Sequence, residues 1–254
     1  MSSHSERILD QFTQQAVPFS EAPAIRDEAA LQLLVESSGA TAEDSVLDVA
    51  CGPGLVVKAF AQVAARATGI DVTPAMIARA RELTAGMPNV AFDQGDVTKL
   101  PYADGTFSVV VSRFAFHHFQ DPLAVMREMK RVCRPGGRVV VCDLLGSEDP
   151  EKAAEFHRIE MVRDPSHARA HRASELRGFF EGVGLQPELV ANYQLGFELE
   201  GLLARSFPVG HDRDWLREQY IAGLERDRLP LNLVRKGDRV YGAYDVAILR
   251  APRP

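Results

Sequence analysis

The chain has 254 residues, 46% of them hydrophobic and 25% charged, with a formal net charge of −6. That length and apolar content can bury a full core, and they predict one domain with room for a small second unit. The acidic balance repels polyanions, which argues against nucleic acid and makes a small molecule the expected partner.

The first twenty residues lack the basic and continuously apolar segments of a secretory leader, and no run reaches membrane-spanning length, so a cytoplasmic protein is expected. Cys51, Cys133 and Cys142 are odd in number and lack ligand spacing. They read as reduced core thiols, with no metal and no catalytic role.

At the start of the chain, Ile8, Leu9 and Phe12, then Ile25, Ala29 and Leu33, recur at helical spacing and predict helices over 5–15 and 24–38. These helices should pack on a sheet edge or over a ligand site. Strands follow over 46–50, 67–70, 90–92, 107–112 and 138–144, each β-branched or almost continuously apolar. Such runs suit parallel strands buried on both faces. Helices are predicted between them at 55–65, 74–85 and 122–132, the alternation of a layered α/β domain. The second should open with Thr73 as N-cap and Pro74 at its first position. Pro135, Gly136 and Gly137 should end the third and turn into the next strand. Beyond Leu144 the expectations are helices near 151–163 and 173–182, extended segments at 188–194 and 243–249, and a cap over 196–237 with a helical centre at 214–225.

The chemistry concentrates in "VLDVACGPG", residues 46–54, where an apolar strand runs into a glycine turn. Strand-to-glycine turns usually cradle phosphates, because bare backbone and a following helix N-terminus attract anions. Asp48 opposes that use. Val57 also stands where a dinucleotide fingerprint places its third glycine. Asp71, 19 residues after Gly52 at the end of the second strand, sits where a carboxylate accepts ribose hydroxyls. A nucleoside that carries cationic groups instead of phosphates fits both acids, and S-adenosylmethionine is such a ligand.

With "GIDVTPAMIARAR", "GDVTKLPYADGTFSVVVSRFAFHHFQDP" and "RPGGRVVVCD" added, the chain resembles the class I S-adenosylmethionine-dependent methyltransferases over residues 46–144, in particular the ubiquinone/menaquinone-biosynthesis C-methyltransferase branch. The resemblance implies a Rossmann-like, doubly wound, seven-stranded, mostly parallel sheet with an antiparallel closing hairpin. It implies one domain: a helical cover at 1–44, a cofactor-binding core at 45–145, and an acceptor cap with closing strands at 146–254. It places Asp48, Gly52 and Gly54 at the methionine moiety and Asp71 at the ribose. Val72 and Met76 would flank the adenine, Asp96 and Val97 would meet its amino edge, and Arg113 would help close over the cofactor. The arginine-bearing carboxy-terminal signature of the quinone enzymes is not seen, nor is the acidic triad of magnesium-dependent members.

The implied reaction is methyl transfer to a small-molecule acceptor. The alternative is a methyltransferase-fold enzyme that uses the adenosyl pocket for cyclisation or decarboxylation. The acceptor, the methylated atom (C, O or N) and the oligomeric state stay open. One of His117, His118 and His167 is expected to face the acceptor as base or orienter, since a histidine pKa near ~6.5 suits proton uptake at neutral pH. Residues 151–172 carry Arg158, Arg163, Arg169 and Arg172. A solvated helix face is the simpler reading of that run; the sharper one puts it at the mouth of a site for an anionic acceptor. Phe12 and Phe19 read as core or lid packing, and Tyr193 and Trp215 as possible pocket walls.

Overall fold

The computed structural model describes residues 4–254, apart from the side chain of Ser5. Two helices, α1 (His4–Glu21) and α2 (Glu28–Ser38), precede β1 (Ser45–Val49), α3 (Leu55–Phe60), β2 (Arg66–Asp71), α4 (Pro74–Leu83), β3 (Val90–Gln94) and β4 (Phe107–Arg113). A single 3₁₀ turn at Phe116–His118 leads to α5 (Pro122–Val132) and β5 (Cys133–Leu144). The remainder is α6 (Pro150–Arg163), α7 (Ala173–Glu181), β6 (Glu188–Glu198), α8 (Leu199–Ala204), α9 (Arg213–Arg226), β7 (Val234–Lys236) and β8 (Arg239–Pro252).

The strands form one sheet in the order β3-β2-β1-β4-β5-β8-β6, with β7 paired to the start of β8. β1 to β5 are parallel, and β8 runs antiparallel to both β5 and β6. Alternating side chains feed two cores. Val46, Val109, Val111 and Val140 join α2, α3, α6 and α9 on one face, while Leu47, Val110, Val139 and Val141 join α5 and α7 on the other. This two-sided burial is why the strands read as continuous apolar runs.

The expected doubly wound α/β sheet with an antiparallel closing pair is present, with eight strands among the described residues instead of seven. The added strand, β7, consists of Val234, Arg235 and Lys236, all exposed. Without a buried face it carries no periodic signal. Three local expectations also change. α3 stops at Phe60, five residues short of the predicted end. β5 begins at Cys133 and runs through Pro135–Gly137, because the Gly136 N–H donates to Arg253 O (2.8 Å) and the Arg253 N–H to Gly137 O (2.8 Å). Long-range pairing thus converts a local turn signal into a strand edge. Thr73 occupies the N-cap of α4, but its hydroxyl makes no capping bond. The Asp71 carboxylate accepts from the Thr73 N–H instead (2.8 Å).

Candidate functional site

The site begins at the carboxyl ends of the central strands, where an open parallel sheet leaves a crevice. β1 ends at Val49, and Ala50 adopts φ +59° before Gly52 at +50° and Gly54 at +80°. Phe114, just after β4, holds φ +56°. Two non-glycine residues in the left-handed region at the same sheet edge are strained backbone of the kind that collects at functional sites.

Asp71, the last residue of β2, ties this edge together. One carboxylate oxygen accepts from the Gly52 N–H (2.9 Å) and the other from the Thr73 N–H (2.8 Å). Burial raises its pKa against the pull of those donors. Gly54 stands back from the cavity. A Cβ there would stand 2.8 Å from Ala80 Cβ and 3.1 Å from the Phe92 ring, so this glycine lets α3 pack against α4 and β3 and does not border the cavity.

A cavity of about 450 Å³ opens above these ends. Asp48, Gly52, Asp71, Val72, Met76, Asp96, Val97 and Arg113 all line it, and Ile8, Phe12, Phe19 and Ile25 roof it. Val72 is 38% exposed at the rim. The Asp96 carboxylate accepts from the Thr98 N–H and hydroxyl (both 2.8 Å).

The electrostatics of this cavity are unbalanced. Asp48 is 2% exposed, and neither carboxylate oxygen has a hydrogen-bond partner. Burial, then the neighbouring Asp71 charge, pushes its pKa well above the usual carboxylate range, against the pull of Arg113. Arg113 is also buried; its Nη1 donates to Ile25 O (3.2 Å) and its guanidinium lies 4.2 Å over the Phe114 ring, while Nε and Nη2 have no partner. Buried polar groups are normally satisfied, and an unpaired buried charge costs several kcal/mol (~3–5). A ligand bearing both an ammonium and a carboxylate satisfies both groups. A polyphosphate would oppose Asp48.

A second cavity of about 120 Å³ adjoins the first and shares Phe12, Phe19, Ile25, Phe114 and His118 with it. His117 lines it, and its Nδ1 sits 2.6 Å from Asp143 Oδ1. Asp143, near the end of β5, also accepts from the Phe116 N–H (2.7 Å) and the Leu144 N–H (2.7 Å). Burial lowers the His117 pKa, but the Asp143 charge and hydrogen bond outweigh it and the net shift is upward. His118 Nδ1 faces Ser166 O (3.1 Å), and burial followed by the His117 charge takes its pKa down to about 4.

His167 departs from the expectation for it. It is buried with its ring 5.8 Å from that of His117, borders neither cavity, and has its pKa depressed by burial and by its charged neighbours. The loop after Pro165 does fold back over the site, but it presents backbone: the Ala168 and Arg169 N–H groups donate to His117 O (2.8 and 3.0 Å). The arginine run divides. Arg158 pairs with Glu155 on the surface, and Arg169 and Arg172 with Glu175. Arg163 turns inward to buried Glu160 (2.6 Å) and borders the second cavity.

Tyr193 reaches Cys142 (3.7 Å) and Trp215 stacks on His211, and neither lines these cavities. Sequence reading missed Asp143, Phe114, Arg205 and Tyr244. For Asp143 a signal existed: like Asp48 and Asp71, it is an acid at the end of an apolar strand. Among the described residues no His/Cys/Asp/Glu cluster could hold a metal, and no helix is long and apolar enough to cross a membrane.

A family model described as a methyltransferase domain matches residues 47–141. The uncharacterized methyltransferase YcgJ of Bacillus subtilis is 28% identical over 245 residues, covering 89% of this chain and 97% of that protein. The ubiquinone/menaquinone biosynthesis C-methyltransferase UbiE of Bdellovibrio bacteriovorus is 34% identical over 154 residues, 56% of this chain and 65% of that one. The crystal structure of YcgJ superposes with a TM-score of 0.81 at 24% identity, over 89% of this chain and 99% of that chain.

Proposed function

We propose that this chain is a class I S-adenosylmethionine-dependent methyltransferase and that it methylates a small-molecule acceptor seated in the second cavity. The observation that carries the reading is the unpartnered Asp48 carboxylate together with the unpartnered Nε and Nη2 of Arg113, buried at one cavity beside the Gly52 turn.

In this reading Asp48 holds the ammonium of the cofactor's amino acid and Arg113 its carboxylate, while Asp71 takes the ribose hydroxyls. Val72 and Met76 flank the adenine, and Asp96 and Val97 meet its amino edge. Gly52 lets the backbone approach. We read 1–254 as a single domain in which 146–254 supply the acceptor cap, and we place the reaction in the cytoplasm.

Bound S-adenosylmethionine supplies a methyl group already activated on a sulfonium. The protein's task is to align the acceptor and exclude water, an effect that can supply ~7–11 kcal/mol of the barrier. α1 and the aromatic walls shared by the two cavities serve that exclusion. For an acceptor whose nucleophile carries a proton, His117 is the base. The His117 Nδ1–H donates to the Asp143 carboxylate, which leaves Nε2 free to take a proton. As the acceptor's nucleophile takes the methyl group that the cofactor would supply, leaving a neutral thioether, the acceptor proton passes to His117. His118, neutral at pH 7 and bordering both cavities, orients the acceptor.

Calorimetry with S-adenosylhomocysteine, adenosine and NAD tests the cofactor site. The homocysteine tail should add affinity over adenosine in the wild type, and Asp48→Asn should remove that increment. NAD binding as tightly as S-adenosylhomocysteine refutes the reading. Methyl-labelled cofactor incubated with phenols, amines and quinones then separates label transfer from other chemistry in the same pocket.

A further inference from the structure

Three charged side chains besides the histidines border the second cavity: Arg163, Asp164 and Arg205. Two are already neutralised. Arg163 donates from Nε and Nη2 to Glu160, which also accepts from the Tyr220 hydroxyl (3.0 Å). Asp164 accepts from the Ser166 N–H (3.0 Å) and hydroxyl, and lies beside His118 and Arg163.

Arg205, just past α8, is different. No hydrogen bond or ion pair holds its guanidinium among the described residues. The Glu198 charge acts on it, but that carboxylate accepts from the N–H groups of Glu200 (3.3 Å) and Gly201 (2.9 Å) and makes no ion pair with Arg205. Burial and then the like charge of Arg163 lower the Arg205 pKa, with Tyr244 and Glu198 opposing.

Apart from Gln15, the rest of the cavity is apolar and aromatic, with Phe114, Phe197 and Tyr244 among its walls. Its volume of about 120 Å³ is below the ~150 Å³ that takes one benzene, so only a compact acceptor suits it, and such a body extends past the shared Phe12, Phe114 and His118 into the first cavity. The cavity therefore offers a largely apolar space with His117 among its walls and, on its border, a planar cation that no hydrogen bond or ion pair among the described residues holds.

We infer that Arg205 is the anion anchor of the acceptor site, and that the acceptor is a compact aromatic or unsaturated carboxylate whose proton-bearing nucleophile is presented to His117. The inference rests on the methyltransferase reading. A carboxylate matches the fork of a guanidinium bidentately.

The test is calorimetry on protein saturated with S-adenosylhomocysteine, using the three monohydroxybenzoates and their primary carboxamides as probes. At least one benzoate should bind tenfold or more tightly than its amide. Arg205→Met should erase that preference while leaving amide binding and S-adenosylhomocysteine affinity as they were, and Arg205→Lys should keep part of it. Melting temperatures confirm that both variants are folded. Equal binding of acids and amides, no binding of either to the loaded protein, or a preference that survives Arg205→Met overturns the inference. Failure of S-adenosylhomocysteine itself to bind identifies the methyltransferase reading as the part that is wrong.

Discussion

Replacing Asp143 with Asn probes the second cavity without knowledge of the acceptor. The wild-type carboxylate is 1% exposed and accepts from three N–H donors, His117 Nδ1 and the backbone of Phe116 and Leu144. An asparagine offers one acceptor oxygen and turns an NH₂ toward the remaining donors. At least one buried N–H is then orphaned, which costs about 1–3 kcal/mol. The charge adds a pH-dependent part. The His117 pKa is raised in the folded protein, so its pairing contributes fully below the unfolded value of ~6.5 and is lost as pH rises through the folded value. The Asp143 pKa is lowered, with burial opposing and His117 favouring the charged form, so its contribution is present above the unfolded value of ~3.9 and is lost as pH falls through the folded one.

The wild type should therefore exceed the variant by about 3–5 kcal/mol between roughly pH 4 and 6.5, the cost of breaking a buried pair. The gap should narrow toward about 1–3 kcal/mol by pH 9. Urea unfolding at pH 6 and pH 9 reads the gap, and NMR titration of the His117 ring should show its midpoint falling in the variant. Once an acceptor is known, kcat should drop ~10²–10⁴-fold. An equal stability gap at both pH values, or a wild-type His117 that titrates below a free histidine, refutes the reasoning.

Asp48→Asn removes a buried charge that has no partner in the protein, so the ligand-free melting temperature should hold or rise, while S-adenosylhomocysteine binds roughly 10- to 150-fold more weakly by calorimetry. The two glycines of the turn should respond in opposite ways. Gly54→Ala forces a Cβ to 2.8 Å from Ala80 at φ +80° and should cost about 2–4 kcal/mol in urea unfolding. Gly52→Ala meets only Met76 Sδ at 3.9 Å and should cost about 1–2 kcal/mol through its φ, with its main effect on S-adenosylhomocysteine affinity because it borders the cavity.

Much of the cofactor side was legible from residue order. Strands buried on both faces must be continuously apolar, so Asp48 and Asp71 stood out as acids at strand ends, and a parallel sheet necessarily gathers its carboxyl ends at one edge. Eight of the nine residues expected around the cofactor line one cavity for that reason. Gly54 is the exception, because a positive-φ glycine looks the same in sequence whether it faces a ligand or a neighbouring helix.

The acceptor side belongs to tertiary structure. His117 and Asp143 are 26 residues apart and meet only because β4 and β5 are neighbours. Nothing local told Arg163 from Arg158, five residues earlier; its inward turn follows from Glu160 and Tyr220, the latter on α9. Arg205 reaches the same cavity from a segment with no periodic signal, and the loop after Pro165 brings its backbone to His117 while the His167 ring borders neither cavity. Periodicity in the chain dictates which face of an element is buried. Which charged side chains share a cavity depends on how distant elements pack, and that is a property of the folded chain as a whole.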